Sequence, residues 1–366
     1  MEQIVPEKVK ISPFLVFFLI HKMQVGIGVL GFQRIIAVTA GYDAWIAVII
    51  SGLSIHIILW MIYKIAETAD GDIMTAHTVV FGNKMGNLIS LPFVIYFLLI
   101  IITVLRSFIE VIQVWVFSDF STFWFSLAFC CLATYIVFGG IRTITGVAFF
   151  GFVLPAYLVF TFLFTIPYAD FRNLLPIFDH SIKDLVMASY HMSFSYSGYM
   201  ILLFLYPFIK EPQKSKKWSH LAVLLATIAY TFLAILTFAY FSEGQLQKNI
   251  WPTLTMWKIV EMPFVERFEY IGIATWTIVL LPNFCISFWC ASRILKKVTN
   301  LKQKYGVLII SMIVLITINF LKTREQINSF TTYIGKMGFI IDYGYIPLLF
   351  FLLLIVKRVK KKYKTS

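Results

Sequence analysis

Residues 24–34 read QVGIGVLGFQR and place Gly26, Gly28 and Gly31 in the spacing G-x-G-x-x-G of a dinucleotide-binding fingerprint. That fingerprint acts where a short strand feeds a glycine turn that opens a helix, so that the pyrophosphate rests on the helix N-terminus. No such setting surrounds these glycines. They interrupt an apolar stretch from Ile11 to about Val38, close to the length of a tilted bilayer span of about 20 to 25 residues. The stretch therefore predicts a broken membrane helix rather than a nucleotide enzyme. The question it poses is why a membrane helix is broken there.

The whole chain agrees with a membrane reading. Its 366 residues are 60% hydrophobic and 13% charged, with a mean hydropathy of +0.84, far outside the soluble globular range. The net charge of +13 comes from basic residues at the ends of apolar segments, which are topology signals and not a nucleic-acid face. Cys130, Cys131, Cys285 and Cys290 all lie inside apolar segments, so buried thiols are expected rather than a disulfide framework or a metal site. The first apolar run is too long for a cleaved signal peptide and is expected to stay as the first span.

Ten spans can be drawn, at about 11–38, 42–64, 87–117, 119–138, 146–168, 185–209, 218–241, 268–293, 305–321 and 339–357. The chain is thus expected to be an all-α polytopic membrane protein of ten transmembrane helices, a single integral domain over 1–366. An even number of spans puts both termini on one side. With that side inside, 20 of the Lys and Arg residues fall in cytoplasmic segments and 8 in outer loops, so the positive-inside rule makes both termini cytoplasmic. The longest loop, Ser242 to Arg267, is 26 residues, too short for a soluble catalytic or signalling domain. Ile65 to Gly86 is polar enough for a short interfacial helix, and the loop carrying Trp251, Trp257 and Phe264 has the aromatics of a segment dipping into the interface.

The first and sixth spans share a pattern. HKMQVGIGVLG from His21 and YHMSFSYSGYM from Tyr190 each place a chargeable residue, Lys22 or His191, before small residues that favour unwound backbone. Spans one to five and six to ten then align as two halves, approximately 11–168 and 185–357, and an odd number of spans per half inverts one half relative to the other. Paired interruptions at corresponding positions of two halves point to a midplane binding site. Unwinding frees backbone groups that hydrocarbon cannot satisfy, so each break must face a polar cavity or a ligand. The half-helix starting near Gly28 suits a carboxylate, and carbonyls near Met23 and Gln24 suit a cation or ammonium group, a pairing that fits a zwitterionic amino acid. Close helix packing is the plainer use of the same glycines.

These residues carry a resemblance. ISPFLVFFLIHKMQVGIGVLGFQR at 11–34, the ten-span plan, GGIRTITG at 139–146 and PFIKEP at 207–212 resemble the B subunit of bacterial spore germinant receptors, over essentially the whole chain. That family belongs to the amino acid, polyamine and organocation transporter superfamily. The resemblance implies a LeuT-like five-plus-five inverted repeat with helices 1 and 6 broken. It also implies a germinant sensor in the spore inner membrane that binds a small nutrient and acts with an A subunit and a lipoprotein C subunit.

The candidate ligand-binding residues are Lys22, Gln24, Gly26, Gly28 and Gly31 on the first span and Ser193, Phe194, Ser195, Tyr196, Ser197 and Gly198 on the sixth. Lys22 lies 11 residues into its span, about 16 Å at 1.5 Å per residue, deep for a snorkelling lysine, and reads as a fixed cation beside the site. Arg106 and Glu110 are four apart on one helix face and read as a mutual ion pair or an outer gate. Pro282 and Asn283 interrupt span eight, after Thr275 and Thr277. There is no H-E-x-x-H, G-x-S-x-G or P-loop, so no enzyme, cofactor or metal is expected. The first reading is a nutrient sensor that signals to partner subunits. An amino acid permease is the alternative, and a ligand-free scaffold subunit is a third reading.

Overall fold

A computed structural model describes residues 5–263 and 265–365, so Phe264 lies outside the described residues. The first span is helix α1 (Val16–Gln24) followed, after a break, by α2 (Phe32–Ala40). The second is α3 (Ala44–Ala69). A short helix α4 (Ile73–Phe81) then lies where the polar stretch predicted one, and Asp72 caps it by accepting from Thr75 N at 2.9 Å. Spans three and four are α5 (Asn83–Trp115) and α6 (Thr122–Phe138). Span five joins α7 (Ile141–Val153) and α8 (Tyr157–Thr161) through tight turns that continue to Tyr168.

The second half repeats the plan. Span six is α9 (Ile182–Tyr196) and, past a second break, α10 (Leu202–Leu205) within an apolar run to Phe208. Span seven is α11 (Lys216–Tyr240). Two short helices, α12 (Glu243–Lys248) and α13 (Pro252–Trp257), fold over the bundle before span eight, α14 (Phe268–Thr299). Span nine is α15 (Gln303–Ile318), and span ten is α16 (Arg324–Phe339) continued through a π-helical stretch into α17 (Ile346–Thr365). The chain is an integral membrane protein of LeuT-like fold; spans one to nine follow the sequence boundaries to within about two turns, whereas span ten begins at Arg324, well before the expected start at 339.

Two features fix how the broken spans sit. At the end of the bundle where the chain begins, Ile11 pairs with the end of span six: Ile11 N donates to Phe208 O at 2.8 Å and Lys210 N to Ile11 O at 2.9 Å. The starts of span one and the finish of span six are thereby stitched together. On the same side Asp72 also accepts from Lys297 Nζ at 2.8 Å, with Arg293 3.8 Å away, which ties α4 to the end of α14. Burial works against the charge on Asp72, but Lys297, Thr75 N and Arg293 together hold its carboxyl below the usual carboxylate range.

The loop expected to dip into the interface packs onto the bundle. Trp257 is fully buried among Phe162, Phe268 and Trp276. Thr253 donates to Val29 O and Gln33 Nε2 donates to Thr253 Oγ1, both at 2.8 Å. Trp257 is thus spent on packing against spans five and eight, while Thr253 fastens the loop to the far half of span one.

Candidate functional site

Both predicted breaks are present. Helix α1 ends at Gln24; Val25 is extended and a short tight helix, Ile27–Leu30, intervenes before α2. Helix α9 ends at Tyr196, and Gly198 adopts φ +113°, a conformation that glycine alone takes without strain. The breaks interlock. A Cβ on Gly28 would stand 3.0 Å from Ser195 Oγ and 3.3 Å from its Cα, while one on Gly198 would stand 3.0 Å from Met23 Cβ. Each break thus packs against the other at a glycine.

Between them opens a cavity of about 520 Å³, within the range of small-molecule sites. Gly26, Gly28, Gly31, Phe194, Ser195, Ser197 and Gly198 line it, as do Thr103 and Ser107 from α5, Asn283 from α14 and Asn328, Thr331 and Thr332 from α16. Hydroxyls, amides and His191 make its polar surface; Arg34 and Arg324 are its charged side chains, and no carboxylate lines it among the described residues. Arg34 is engaged by Gln247 O at 2.7 Å.

Four candidate residues stand outside the cavity lining. Lys22 is 2% exposed, buried in the last turn of α1, where the helix dipole favours a cation. It takes part in none of the ion pairs among the described residues. Gln24 turns inward to donate to Tyr196 O at 3.4 Å. Ser193 bonds back to Tyr190 O, and Tyr196 points toward Val48 O. Neighbours on a helix are turned by about 100° from one another, so only part of each stretch faces the cavity.

The residue that sequence reasoning missed is Tyr230 on α11. Its hydroxyl lies 2.8 Å from Gln24 O and 3.3 Å from Ser195 O, so one donor bridges the carbonyls of both breaks. Tyr230 thus takes one of the two lone pairs of Gln24 O, the carbonyl expected to suit an ammonium group. A tyrosine 35 residues beyond Ser195 and 206 beyond Gln24 gives no local signal. The expected interruption of span eight is corrected, because α14 runs unbroken through Pro282 and Asn283; Asn283 nonetheless faces the site, its Nδ2 lying 2.7 Å from where a Gly26 Cβ would be. Thr275, by contrast, bonds Tyr157 OH at 2.7 Å, on a separate contact with span five.

The Arg106–Glu110 pair is also corrected. Arg106 donates to Leu321 O at 2.6 Å and reaches Lys322 O at 3.5 Å, capping the turn after α15. Glu110 instead pairs with Arg324 at 2.5 Å. Both residues on that face of α5 therefore grip the entrance to span ten, and Arg324 lies 4.9 Å over the ring of Trp251. Arg324, Trp251 and Ile250 line the cavity at this end.

Similarity to known proteins follows the same plan. Among solved structures, a substrate-bound, outward-open Na+-coupled sialic acid symporter matches with a TM-score of 0.72 at 13% identity, covering 96% of this chain and 80% of that one. MhsT in complex with L-phenylalanine matches with a TM-score of 0.60 at 11% identity, covering 92% and 87%. These likenesses establish the fold. In sequence, the chain is 43% identical to spore germination protein GerQB of Bacillus cereus over 95% of its length and 97% of the relative's. Spore germination protein B2 of Bacillus subtilis (strain 168) is 22% identical over 90% and 91%. The spore germination protein family matches residues 10–327, and the chain belongs to that family.

Proposed function

We propose that this chain is the nutrient-sensing B-type subunit of a germinant receptor and that its ligand lies in the cavity between the two breaks. One observation carries the reading: in a chain matched end to end by germination proteins, the two interrupted helices and Asn283 enclose one polar cavity. The lining of hydroxyls and amides, with arginines at the mouth, suits a small polar nutrient such as an amino acid. Ligand binding must favour one arrangement of the spans, since equal affinity for two arrangements shifts neither. With no loop large enough for a signalling domain, the shift passes through helix surfaces to partners, which we take to be an A subunit and a lipoprotein C subunit.

The same reading places the protein in the spore inner membrane with both termini cytoplasmic, takes residues 11–168 and 185–357 as the inverted halves, and assigns no catalytic role. The test is nutrient-triggered germination in a strain that relies on this receptor, over a panel of amino acids, sugars and nucleosides, with protein abundance followed by immunoblot. Ser197→Leu is expected to shift the concentration dependence or the nutrient preference at normal abundance. An unchanged response would move recognition out of the cavity. Steady solute uptake into vesicles holding this subunit alone would favour the permease reading instead.

A further inference from the structure

One face of span ten carries Gly335, Gly338 and Asp342, at helical spacings of three and four. Gly335 lines the cavity. A Cβ on Gly338 would lie 2.9 Å from Tyr96 OH and 3.7 Å from Ser197 Cβ, directly behind the span-six break. Asp342 follows, 2% exposed, inside the π-helical stretch Ile340–Tyr345. Such stretches widen the helix and recur at functional sites.

Asp342 has no cationic partner. None of the ion pairs among the described residues includes it, and its Oδ1 has no hydrogen-bond partner there. The groups that face it are hydroxyls: Tyr199 from the turn after the span-six break, Tyr96 from α5 and Tyr343 beside it. Tyr199 OH and Ser51 Oγ are themselves buried without partners, whereas Tyr343 OH is engaged by Ser54 Oγ at 2.6 Å. The nearby histidine is occupied as well, since His77 Nε2 meets Tyr345 OH and its Nδ1 meets Ser90 Oγ, each at 2.7 Å.

A carboxylate held in the bilayer interior with neither a cation nor a full set of donors is expensive. A carboxylic acid in the same place is not, because its O–H donates to a tyrosine oxygen and its C=O accepts from one. We propose that Asp342 is a proton-binding site, carrying its proton in the arrangement of helices seen here, with Tyr199 facing it across the junction of spans six and ten. When the lower half of span six moves away from span ten, water reaches Asp342 and takes the proton as hydronium. The cavity floor and the proton site share Ser197–Tyr199 on one helix and Gly335–Asp342 on the other, so occupancy of one biases the other.

Infrared difference spectroscopy of the full chain in lipid nanodiscs tests this without any nutrient. The expected result at neutral pH is a protonated-carboxyl C=O band, shifted in D2O, that is missing in Asp342→Asn and displaced in Asp342→Glu. Asn is nearly isosteric with the neutral acid, so that variant is expected to accumulate normally; Asp342→Glu keeps the test decisive where it does not. A band unchanged in either variant would overturn the proposal. So would a band that disappears when sodium replaces potassium, which would mark a metal-cation site. A second readout rests on the sensing function: the half-maximal nutrient concentration should rise with pH in wild-type spores and stay flat in Asp342→Asn. Flat behaviour in both, with the infrared result intact, would sink the coupling to sensing while leaving the proton site.

Discussion

The breaks in spans one and six look alike in sequence and differ in physics. In span one the interruption runs from Val25 to Gly31 around a short tight helix, and its glycines keep negative φ. What they supply is space. A side chain at Gly26 would strike Asn283 Nδ2, one at Gly28 would press on Ser195, and one at Gly31 would meet Ile250 O at 2.6 Å. In span six the interruption runs from Ser197 to Ile201, a bend at Ser197 and Gly198 followed by a short tight helix, and the glycine supplies a conformation, φ +113°. The first break is a place where other groups come close to backbone; the second sets the angle between two half-helices. Ligand recognition is therefore expected to be sensitive to the first, and the stability of the bundle to the second.

The strongest way to break that comparison is Gly28→Leu. A leucine there drives carbon into Ser195 backbone and fills the cavity, so germination at ordinary nutrient concentrations is expected to be abolished with the protein still inserted in the membrane. Normal germination of that strain would remove the site from the breaks. Next in size is the pair of alanine changes. Gly198→Ala must hold a non-glycine residue at positive φ, which costs roughly 1–2 kcal/mol, and it also crowds Met23. Gly28→Ala meets no backbone penalty and asks only that Ser195 yield. Thermal unfolding of the solubilised protein is expected to fall further for Gly198→Ala, while nutrient preference changes more for Gly28→Ala; equal effects on both measures would mean that the breaks are interchangeable.

The difference between the breaks also marks how far sequence can be read. The spans, a short helix after Asp72 and both interruptions were legible because hydrophobic length and glycine placement are local properties. The partners of polar side chains were not. Arg106 and Glu110 share a helix face, which suggests pairing, yet the turn before α16 brings carbonyls to one and Arg324 to the other. Lys22 and Gln24 sit beside lining residues in sequence but point away from the cavity, because period decides direction only once the facing helix is known. Tyr230, which joins both breaks, has no signature at all in its own stretch of apolar residues.

Arg324→Gln sharpens the comparison at the mouth of the cavity. The residue pairs with Glu110 and covers Trp251, whose loop is fastened to the far half of span one through Thr253 and Val29. Losing a charge-assisted hydrogen bond of this kind costs about 2 kcal/mol, roughly thirty-fold in the balance between covered and open cavity. If nutrient is held beneath the cover, the half-maximal germinant concentration should rise by up to that factor. Glu110→Gln should produce a similar shift, and the two changes together little more than either alone, since they remove one interaction. Additive effects would show that Arg324 acts through the nutrient rather than through Glu110.

The smallest change goes to the group that joins the two breaks. Tyr230→Phe removes a single hydroxyl, leaving Gln24 O and Ser195 O without their shared donor while the ring keeps its packing against Tyr196 and Phe32. One hydrogen bond of this sort is worth about 1 kcal/mol, roughly five-fold in an equilibrium. Because the hydroxyl sits closer to Gln24 O than to Ser195 O, the loss should fall mainly on the first break, and it should appear as a shift in germinant concentration with little change in thermal stability. A large loss of stability with unaltered concentration dependence would assign the bridge to the frame of the bundle, and the two breaks would then move as one rigid unit rather than as a recognition surface and a bend.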